Sequence, residues 1–295
     1  MDAEKVRLLG VDVGGTSVKL AMLEGVNVSW TGQSPFYVRP DTETLVDAIR
    51  RAAAGRATAV DAIGLCVPGL QDEARSKVTL SVNVPGLVGV PFVELLRRAL
   101  GPQPASVKVV NDGVATAADI YQARKMNGRL VVLALGTGVG MAVLDDGVPL
   151  RVEGDSPGHI GQIDVSLPGH DVVGPDGGAG GLEGYVGAAA LKRRLGDDLV
   201  AGWRTMGAED PALLALARAI RICHAIYRPH HVVLAGGIGI RLGHLIPDLR
   251  LLISDRLTSL ARPGWTLTAA DHDFHAAIGA ARASAPQALE ERGLG

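Results

Sequence analysis

Two short glycine turns, each next to apolar runs of strand length, constrain this sequence more than any other feature. The first turn, Gly14–Thr16, follows Leu8–Val13 and precedes Ser17–Leu23, and the second, Gly136–Gly138, follows Leu130–Leu135. Glycine lets backbone N–H groups approach an anion without a Cβ in the way, and the threonine in each turn adds a hydroxyl donor. A strand follows each turn, which excludes a P-loop and a dinucleotide turn, where a helix follows. The sequence therefore predicts a pair of phosphate-binding turns, one in each half.

Composition excludes several classes of function. A length of 295 residues, at about 150 residues per domain, predicts two lobes. The net charge of -2 excludes nucleic-acid binding by bulk electrostatics and a polybasic membrane patch. Cys66 and Cys223 are too few and too far apart for a disulfide scaffold or a cysteine-rich zinc site. The charged N-terminus and the lack of a long apolar run predict a soluble, cytoplasmic protein.

Apolar runs of strand length alternate with helical patterns in both halves, which predicts α/β lobes with a cleft between them and a hinge rather than a flexible linker. Glycine, proline and aspartate are enriched over 154–181, which predicts a long functional loop. Further strands are predicted at Ala59–Val67, Val107–Val110, Met141–Leu144, Val148–Val152, His231–Leu234 and near Trp265–Ala269. Helices are predicted from an Asp41 cap to Ala54, from Pro91 to a stop at Gly101, at Gly113–Gln122, Glu183–Leu195 and Pro211–Tyr227, after Gly237 and from about His275.

Two further positions carry acidic groups where strands end. Asp12 ends the first strand and is placed to hold a water-bound Mg²⁺ ion. Asn111 and Asp112 follow Val107–Val110, directly before a helix. A carboxylate there is suited to accept a proton from an alcohol. The alternative is that either residue merely caps the helix.

Gly236 and Gly237 follow the strand His231–Leu234 and would let an adenine or a ribose lie flat against the backbone. The alternative is a dinucleotide turn, because Gly237, Gly239 and Gly243 fit the pattern GxGxxxG. That pattern expects an acidic residue at a strand end about 20 positions later, and none follows there.

The order of these motifs resembles the ROK family of repressors, open reading frames and sugar kinases, in the actin-like ATPase superfamily. The resemblance covers nearly the whole chain and includes GLCVPG at Gly64–Gly69, NVPGL at Asn83–Leu87, VP at Val90-Pro91 and AAIGAA at Ala276–Ala281. It implies two actin-like ATPase (ribonuclease H-like) α/β lobes with a nucleotide and sugar cleft between them. The expected lobes are 1–114, joined by a C-terminal helix over 279–295, and 115–278. Family repressors carry a helix-turn-helix domain before the first turn, for which there is no room here, so the resemblance implies the kinase branch.

The resemblance also implies a role for each matching residue. The general base would be Asp112, with ATP as phosphoryl donor and Asp12 holding Mg²⁺ through water. The ATP-binding residues would be Asp12, Gly14, Gly15, Thr16, Lys19, Gly136, Thr137 and Gly138, with Gly236 and Gly237 at the adenosine. The sugar-binding residues would be Gly69, Asn83, Asn111, Asp112, His159, Gln162 and Glu183, the last in GLEGYVG.

The sugar loop departs from the family pattern. Family members read G-E-x-G-H followed by a zinc motif, C-x-C-G-x-x-G-C, whereas here His159 replaces the glutamate and Gln162 replaces the histidine. The cysteine positions fall on Gly174, Asp176 and Gly181. We therefore expect no structural zinc. A neutral imidazole and an amide offer fewer acceptors than a carboxylate, which suggests a hexose modified near C1 to C3, such as an amino- or acylamino-glucose, or a relaxed glucose site.

Together these observations predict an ATP- and Mg²⁺-dependent kinase acting on a primary hydroxyl, O6, of a glucose-like sugar or an amino-glucose such as kanosamine. Polyphosphate remains open as the donor, and the resemblance implies a homodimer. Two alternatives remain open. One is a sugar- or nucleotide-sensing protein without turnover, and the other is an NAD(P)-binding oxidoreductase.

Overall fold

The chain divides into two compact units. The first contains the residues up to Asp119 together with those from Phe274 onward, and the second runs from Ile120 to Asp273. These units come from a computed structural model that describes residues 6–102, 106–152, 158–196 and 198–285. The helix predicted over 279–295 lies within the described residues only as far as 285. No helix in these four ranges is long and apolar enough to cross a membrane.

The first unit is built on a mixed sheet. The strands among the described residues of this unit are β1 (Arg7–Val13), β2 (Val18–Glu24), β3 (Asn27–Gln33), β4 (Ala62–Cys66), β5 (Leu70–Gln71), β6 (Val78–Leu80) and β7 (Val107–Val110). Five of them form one sheet in the order β3-β2-β1-β4-β7, and β5 pairs with β6 in a separate hairpin. β1 pairs antiparallel with β2, as the strand, turn, strand pattern predicts, and parallel with β4, which pairs parallel with β7.

Helices cover the strands of the first unit. They are α1 (Thr42–Ala53), α2 (Phe92–Leu100), α3 (Asp112–Ala123) and, from the end of the chain, α10 (His275–Ala283), with a 3₁₀ turn at Pro85–Leu87. Asp41 caps α1 as predicted, because its side chain accepts a hydrogen bond from the Thr44 N–H. The helix ends one residue before the predicted Ala54, which has a left-handed backbone with φ 48°. Pro91 is the residue before α2 rather than its first residue.

Glycines let α10 pack directly on the sheet. A Cβ on Gly10 of β1 would lie 1.7 Å from the carbonyl oxygen of Ala277, and one on Gly64 of β4 would lie 1.8 Å from that of Ala280. Gly10 and Gly64 are in register in neighbouring strands. The small side chains of the AAIGAA motif therefore meet a sheet surface that has no side chains at these two points.

A buried ionic cluster fixes α10 to α3. His275 Nδ1 lies 2.6 Å from Asp119 Oδ2, and Arg282 Nε lies 3.2 Å from Asp119 Oδ1. Asp119 is 2% exposed and His275 is 3% exposed. A carboxylate this deeply buried needs such partners. Both oxygens of Asp119 are thus engaged within the first unit.

The second unit repeats the sheet arrangement. Its strands are β8 (Arg129–Leu135), β9 (Val139–Asp145), β10 (Val148–Pro149), β11 (His231–Ala235) and β12 (Thr266–Ala269), in the order β10-β9-β8-β11-β12. β8 pairs antiparallel with β9 and parallel with β11, which pairs parallel with β12. The hairpin predicted at Asp145–Gly147 is confirmed, with φ 47° at Asp146 and 82° at Gly147. β10 ends at Pro149, so the strand predicted over Val148–Val152 is too long.

Six helices follow in the described part of the second unit: α4 (Leu182–Val186), α5 (Ala188–Leu195), α6 (Leu199–Thr205), α7 (Pro211–Tyr227), α8 (Gly236–Arg241) and α9 (Ile246–Ser254), with 3₁₀ turns at Ile160–Gln162 and Leu242–Leu245. The prediction for Pro211–Tyr227 is confirmed at both ends. The single helix predicted over Glu183–Leu195 is wrong, because Gly187 has extended backbone with ψ 153° and separates α4 from α5. The sequence analysis also missed β3, the β5–β6 hairpin and α6.

We expect Gly10→Ala to destabilise the protein, because its Cβ would overlap the backbone of α10 and force the helix away from the sheet. Overpacking of this kind costs about 1–3 kcal/mol. Thermal denaturation followed by circular dichroism measures the change. Gly207→Ala is the control, since a Cβ there meets nothing within 4 Å among the described residues. Equal melting temperatures for the two variants would contradict this packing argument.

Candidate functional site

Parallel strands β1, β4 and β7 bring candidate residues to one edge of the first sheet. Asp12 is in register with Cys66, and Cys66 with Val110, so Asn111 and Asp112 leave the sheet at the edge where Asp12 lies. At about 4.8 Å per strand, Asp12 and Val110 are separated by about 10 Å, and Asp112 follows Val110 by two residues. Burial and the negative charges of Asp12 and Asp112 raise the pKa of the Cys66 thiol. Both carboxylates are therefore close to this thiol.

The first glycine turn is held in a shape that leaves two N–H groups available. The Gly14 N–H donates to the Ser17 carbonyl at 3.0 Å, and the Tyr37 N–H donates to the Thr16 carbonyl at 2.9 Å. The Tyr37 hydroxyl donates to the Gly14 carbonyl at 2.7 Å. No hydrogen bond among the described residues takes up the N–H of Gly15 or Thr16. These two adjacent donors, both accessible to solvent, can bind an anion.

Asp12 and Lys19 lie opposite each other across the β1–β2 hairpin. Side chains at such positions share one face of the sheet and their opposite charges attract. Both residues are half-buried. The carboxylate of Asp12 is an oxygen donor next to the turn, which fits a Mg²⁺ ion that keeps most of its waters. The structure therefore places an acid and a base beside the two free N–H groups of the first turn.

Asn111 and Asp112 each use part of their side chain to begin α3. Asn111 Oδ1 accepts the Val114 N–H at 3.0 Å, and Asp112 Oδ1 accepts the Gly113 N–H at 2.8 Å. The capping interpretation is therefore correct for Asn111, yet its amide NH₂ remains able to donate. Asp112 is exposed, and desolvation by surrounding protein raises its pKa while the Gly113 N–H opposes the rise.

Gly69 and Asn83 lie close to each other in the first unit. Gly69 follows β4 with φ 110°, and a Cβ there would be 2.2 Å from the Leu80 carbonyl oxygen and 3.0 Å from Ser81 Cβ. Only glycine fits this backbone and this close approach. Asn83 is exposed, two residues after Ser81. The β5–β6 hairpin thus carries both residues, and the structure assigns neither a ligand.

The second glycine turn repeats the arrangement of the first. The Gly136 N–H donates to the Gly138 carbonyl at 2.9 Å, which closes the turn. The Val139 N–H donates to Glu183 Oε2 at 2.9 Å. In the part of the chain that the structure describes, no hydrogen bond takes up the N–H of Thr137 or Gly138. Two adjacent donors are again left for an anion.

Glu183 joins this turn to the sugar loop within the second unit. Its Oε2 atom lies 3.0 Å from the place that a Cβ on Gly138 would occupy and 3.1 Å from that place on Gly161. A side chain at either glycine would displace the carboxylate. Gly161 lies in the short 3₁₀ turn Ile160–Gln162, so His159 directly precedes this turn and Gln162 ends it, and both are exposed. Through Gly161, the turn that carries the two predicted sugar-loop residues lies next to Glu183.

The glycines after β11 begin a helix at once. Gly236 has φ 75°, and a Cβ there would lie 2.4 Å from the Leu135 carbonyl oxygen at the end of β8. A Cβ on Gly239 would lie 2.9 Å from the Leu234 carbonyl carbon. Gly236 and Gly237 are therefore at the same edge of the second sheet as the turn after β8. The helix that follows them agrees locally with the dinucleotide alternative, in which glycines connect a strand to a helix.

The segment aligned with the zinc motif is held by its own hydrogen bonds. The Gly174 N–H donates to the Gly178 carbonyl at 2.8 Å, and Asp176 Oδ1 accepts the Gly178 N–H at 3.2 Å. Asp164 and Gly181 form an antiparallel bridge. Backbone pairing thus shapes this loop, and Gly174 and Gly181 offer no side-chain ligand for a metal.

Comparison with known proteins identifies the family. The ROK family model matches residues 8–285, so the chain belongs to the ROK family. Its relatives include the kanosamine kinase of Amycolatopsis mediterranei, 27% identical over 277 residues and 87% of each chain. They also include the glucokinase of Thermotoga maritima, 28% identical over 286 residues, which cover 82% of this chain and 85% of that protein.

A solved ROK glucokinase from Streptomyces griseus, in complex with glucose and AMPPNP, superimposes with a TM-score of 0.72 at 22% identity, over 94% of this chain and 99% of that chain. This likeness confirms the actin-like ATPase fold. With the named relatives, family membership identifies the protein as a sugar kinase of the ROK family.

Sequence reasoning missed Tyr37 and the contact between Glu183 and Val139. Tyr37 is 23 residues from Gly14, in a segment with no regular pattern, so no local signal connects the two. Glu183 was singled out as a sugar ligand, and its hydrogen bond to the second turn depends on a separation of 44 residues. Both interactions fix the shape of a turn that the sequence does identify.

We expect Tyr37→Phe to weaken ADP binding, because it removes the hydrogen bond that holds the Gly14 carbonyl. The loss of one neutral hydrogen bond corresponds to about a two- to tenfold increase in Kd, measured by isothermal titration calorimetry. Tyr121→Phe is the control, since no described residue hydrogen-bonds its hydroxyl. An unchanged Kd in a folded Tyr37→Phe protein would show that the tyrosine does not hold the turn for nucleotide.

Proposed function

We propose that this protein transfers the γ-phosphoryl group of ATP to the primary hydroxyl, O6, of a hexose or an amino-hexose, with Asp112 as general base. The observation that carries the proposal is the position of Asp112. It lies at the carboxyl edge of the parallel strands, with Asp12 at the same edge, and it keeps one oxygen that no described group uses. Glucokinase and kanosamine kinase relatives support the reaction class.

Asp112 is suited to the proton transfer that this reaction needs. Its Oδ1 accepts the Gly113 N–H, and no hydrogen bond among the described residues takes up its Oδ2. As the sugar oxygen attacks phosphorus, its O–H bond breaks and the proton moves to Asp112. The O–P bond forms, the bond from the γ-phosphorus to the bridging oxygen breaks, ADP leaves, and Asp112 returns its proton to water. A positioned base contributes about 10²- to 10⁴-fold.

The two glycine turns supply donors for the phosphate chain. Gly15 and Thr16 in one turn, and Thr137 and Gly138 in the other, offer backbone N–H groups that remain available in the described structure. Phosphoryl transfer depends mainly on positioning and on stabilising negative charge. Mg²⁺ would neutralise charge on the phosphates when bound, and Asp12 is the carboxylate placed to hold it through water. The turns recognise phosphate oxygens alone, so polyphosphate remains a second donor to test.

The sugar would meet a mixed set of donors and acceptors. The Asn111 amide can donate to a hydroxyl oxygen because its own oxygen is already used by the Val114 N–H. Glu183 can accept through the oxygen that does not bind the Val139 N–H. His159 and Gln162 can each donate and accept without charge. Gly69 and Asn83 complete the proposed sugar-binding set.

This set favours a neutral or weakly charged substituent near C1 to C3. A glutamate at position 159 would attract a cationic amine, whereas the neutral imidazole of His159 does not. We therefore expect the protein to phosphorylate glucose or an acylamino-glucose at least as efficiently as a free amino sugar such as kanosamine. The homodimer implied by the family stays a prediction, which light scattering would test.

We expect Asp112→Asn to lower kcat by about 10²- to 10⁴-fold with the folded state intact, because an amide cannot take the proton. The initial rate of ADP formation at saturating sugar measures the loss. Asp61→Asn is the matched control, since Asp61 also accepts one backbone N–H, from Arg7 at 2.8 Å, but at the opposite end of β1 and β4. Wild-type turnover in the Asp112→Asn protein would refute the assigned base.

The sugar is identified by incubating the protein with Mg-ATP and a panel of glucose, mannose, fructose and 2- and 3-amino-glucoses, and by reading product mass. We expect His159→Glu to raise kcat/KM for the cationic amino sugars relative to glucose, because a carboxylate attracts an ammonium group. His170→Glu, at an exposed position of the same loop, is the control and should leave the ratio unchanged. An unchanged ratio in His159→Glu would remove residue 159 from the sugar site.

A further inference from the structure

The glycines after β11 and an aspartate after β12 lie together at one edge of the second sheet. β11, α8, α9 and β12 form a strand, helix, strand unit with parallel strands. Asp273 Oδ2 lies 3.5 Å from the place that a Cβ on Gly237 would occupy. This edge therefore combines a glycine turn after the first strand with a carboxylate after the second. In dinucleotide-binding folds an acidic residue in the corresponding place hydrogen-bonds the ribose 2′-hydroxyl.

The carboxylate of Asp273 is not used by the protein. Its Oδ1 is buried without a hydrogen-bond partner among the described residues. Asp271, two residues earlier, is different, because Arg124 NH2 lies 3.4 Å from its Oδ1. The other oxygen of Asp273, Oδ2, lies beside Gly237, and a ligand placed there could donate a hydrogen bond to it. Asp271 thus forms an ion pair with a side chain of the protein, whereas Asp273 forms none among the described residues.

Arg241 also lies next to Gly237 and hydrogen-bonds its backbone. Its NH1 atom donates to the Gly237 carbonyl at 2.5 Å and lies 3.1 Å from the place that a Cβ on Gly237 would occupy. The guanidinium group stacks on Trp203, with its carbon 5.3 Å from the ring centroid. The absent side chain of Gly237 therefore leaves a space bordered by a cation and a carboxylate. A ligand that carries hydroxyl groups and lies over Gly237 would be within reach of the Asp273 carboxylate.

We propose that Asp273 accepts hydrogen bonds from the ribose hydroxyls of the nucleotide and makes the protein selective for ribonucleotides. The inference rests on the proposed use of ATP and adds a residue that determines the choice of nucleoside. Oδ2 of Asp273, the oxygen beside Gly237, can accept a hydrogen bond from the 2′-hydroxyl of a ribose, and hydrogen bonds to a charged acceptor are stronger than neutral ones. Removing the 2′-hydroxyl would leave part of the carboxylate without a donor.

The test compares ATP with 2′-deoxy-ATP at saturating sugar. The wild-type protein should favour ATP in kcat/KM by about tenfold or more, as expected for one hydrogen bond to a charged group. Asp273→Asn and Asp273→Ala should reduce this preference to less than about threefold, mainly through a higher KM for ATP, with kcat at saturating ATP little changed. Asp271→Asn is the matched control and should keep the wild-type preference.

Binding of ADP and 2′-deoxy-ADP, measured by calorimetry, gives a readout that needs no turnover. A wild-type protein that binds both nucleotides equally, or a folded Asp273→Ala protein that keeps the full preference, would overturn the role of Asp273 while leaving the kinase proposal intact. A protein that binds neither nucleotide would overturn both. Selective ADP binding without sugar phosphorylation would support Asp273 and refute the proposed reaction.

Discussion

The structure depends on one constraint: a glycine turn between two antiparallel strands leaves adjacent backbone N–H groups without a partner at the carboxyl edge of a sheet. In each unit the first N–H of the turn closes the loop on a nearby carbonyl, Ser17 in one case and Gly138 in the other. The next two N–H groups remain available, and exposed donors of this kind attract phosphate oxygens. The parallel strands then bring the remaining polar residues to the same edge, because their carboxyl ends lie side by side.

Glycine serves a second purpose in the same sheets. Gly10 and Gly64 let α10 pack with its backbone against the first sheet, and Gly279 lets α10 approach the Ala115 carbonyl on α3. Glycine therefore permits close packing in these sheets as well as leaving backbone donors available in the turns. The ionic cluster of Asp119, His275 and Arg282 joins the same two helices. The residues that begin α3, Asn111 and Asp112, thus stand on a helix that is fixed along its length.

Much of this fold could be predicted from local signals. Pro211 begins α7 and Pro229 follows its end, so the sequence indicates both ends of this helix. The strand Val107–Val110 ends where Asn111 and Asp112 follow it. β3 was missed because its residues are exposed or half-buried, as expected for an edge strand, and show no apolar alternation. The break at Gly187 was missed because the helical pattern continues across it. The next residue, Ala188, donates its N–H to the Gly136 carbonyl at 3.0 Å, a long-range contact that no local pattern indicates.

The site could be predicted in part. Gly14–Thr16, Gly136–Gly138 and Asp112 follow from strand ends and turn chemistry, which act over a few residues. Tyr37 and Asp273 depend on contacts across 23 and 36 positions, to Gly14 and Gly237, that only the folded chain reveals. Asp273 follows Gly237 at this long interval because α8, α9 and the turns beside them lie between β11 and β12.

Amide chemical shifts of isotope-labelled protein, recorded while the ATP analogue AMPPNP is added, test the central claim most directly. If the glycine turns bind the phosphate chain, the largest shifts will fall on the N–H groups of Gly15, Thr16, Thr137 and Gly138, and adenosine alone will not reproduce them. Binding of the analogue with these four resonances unmoved would contradict the account.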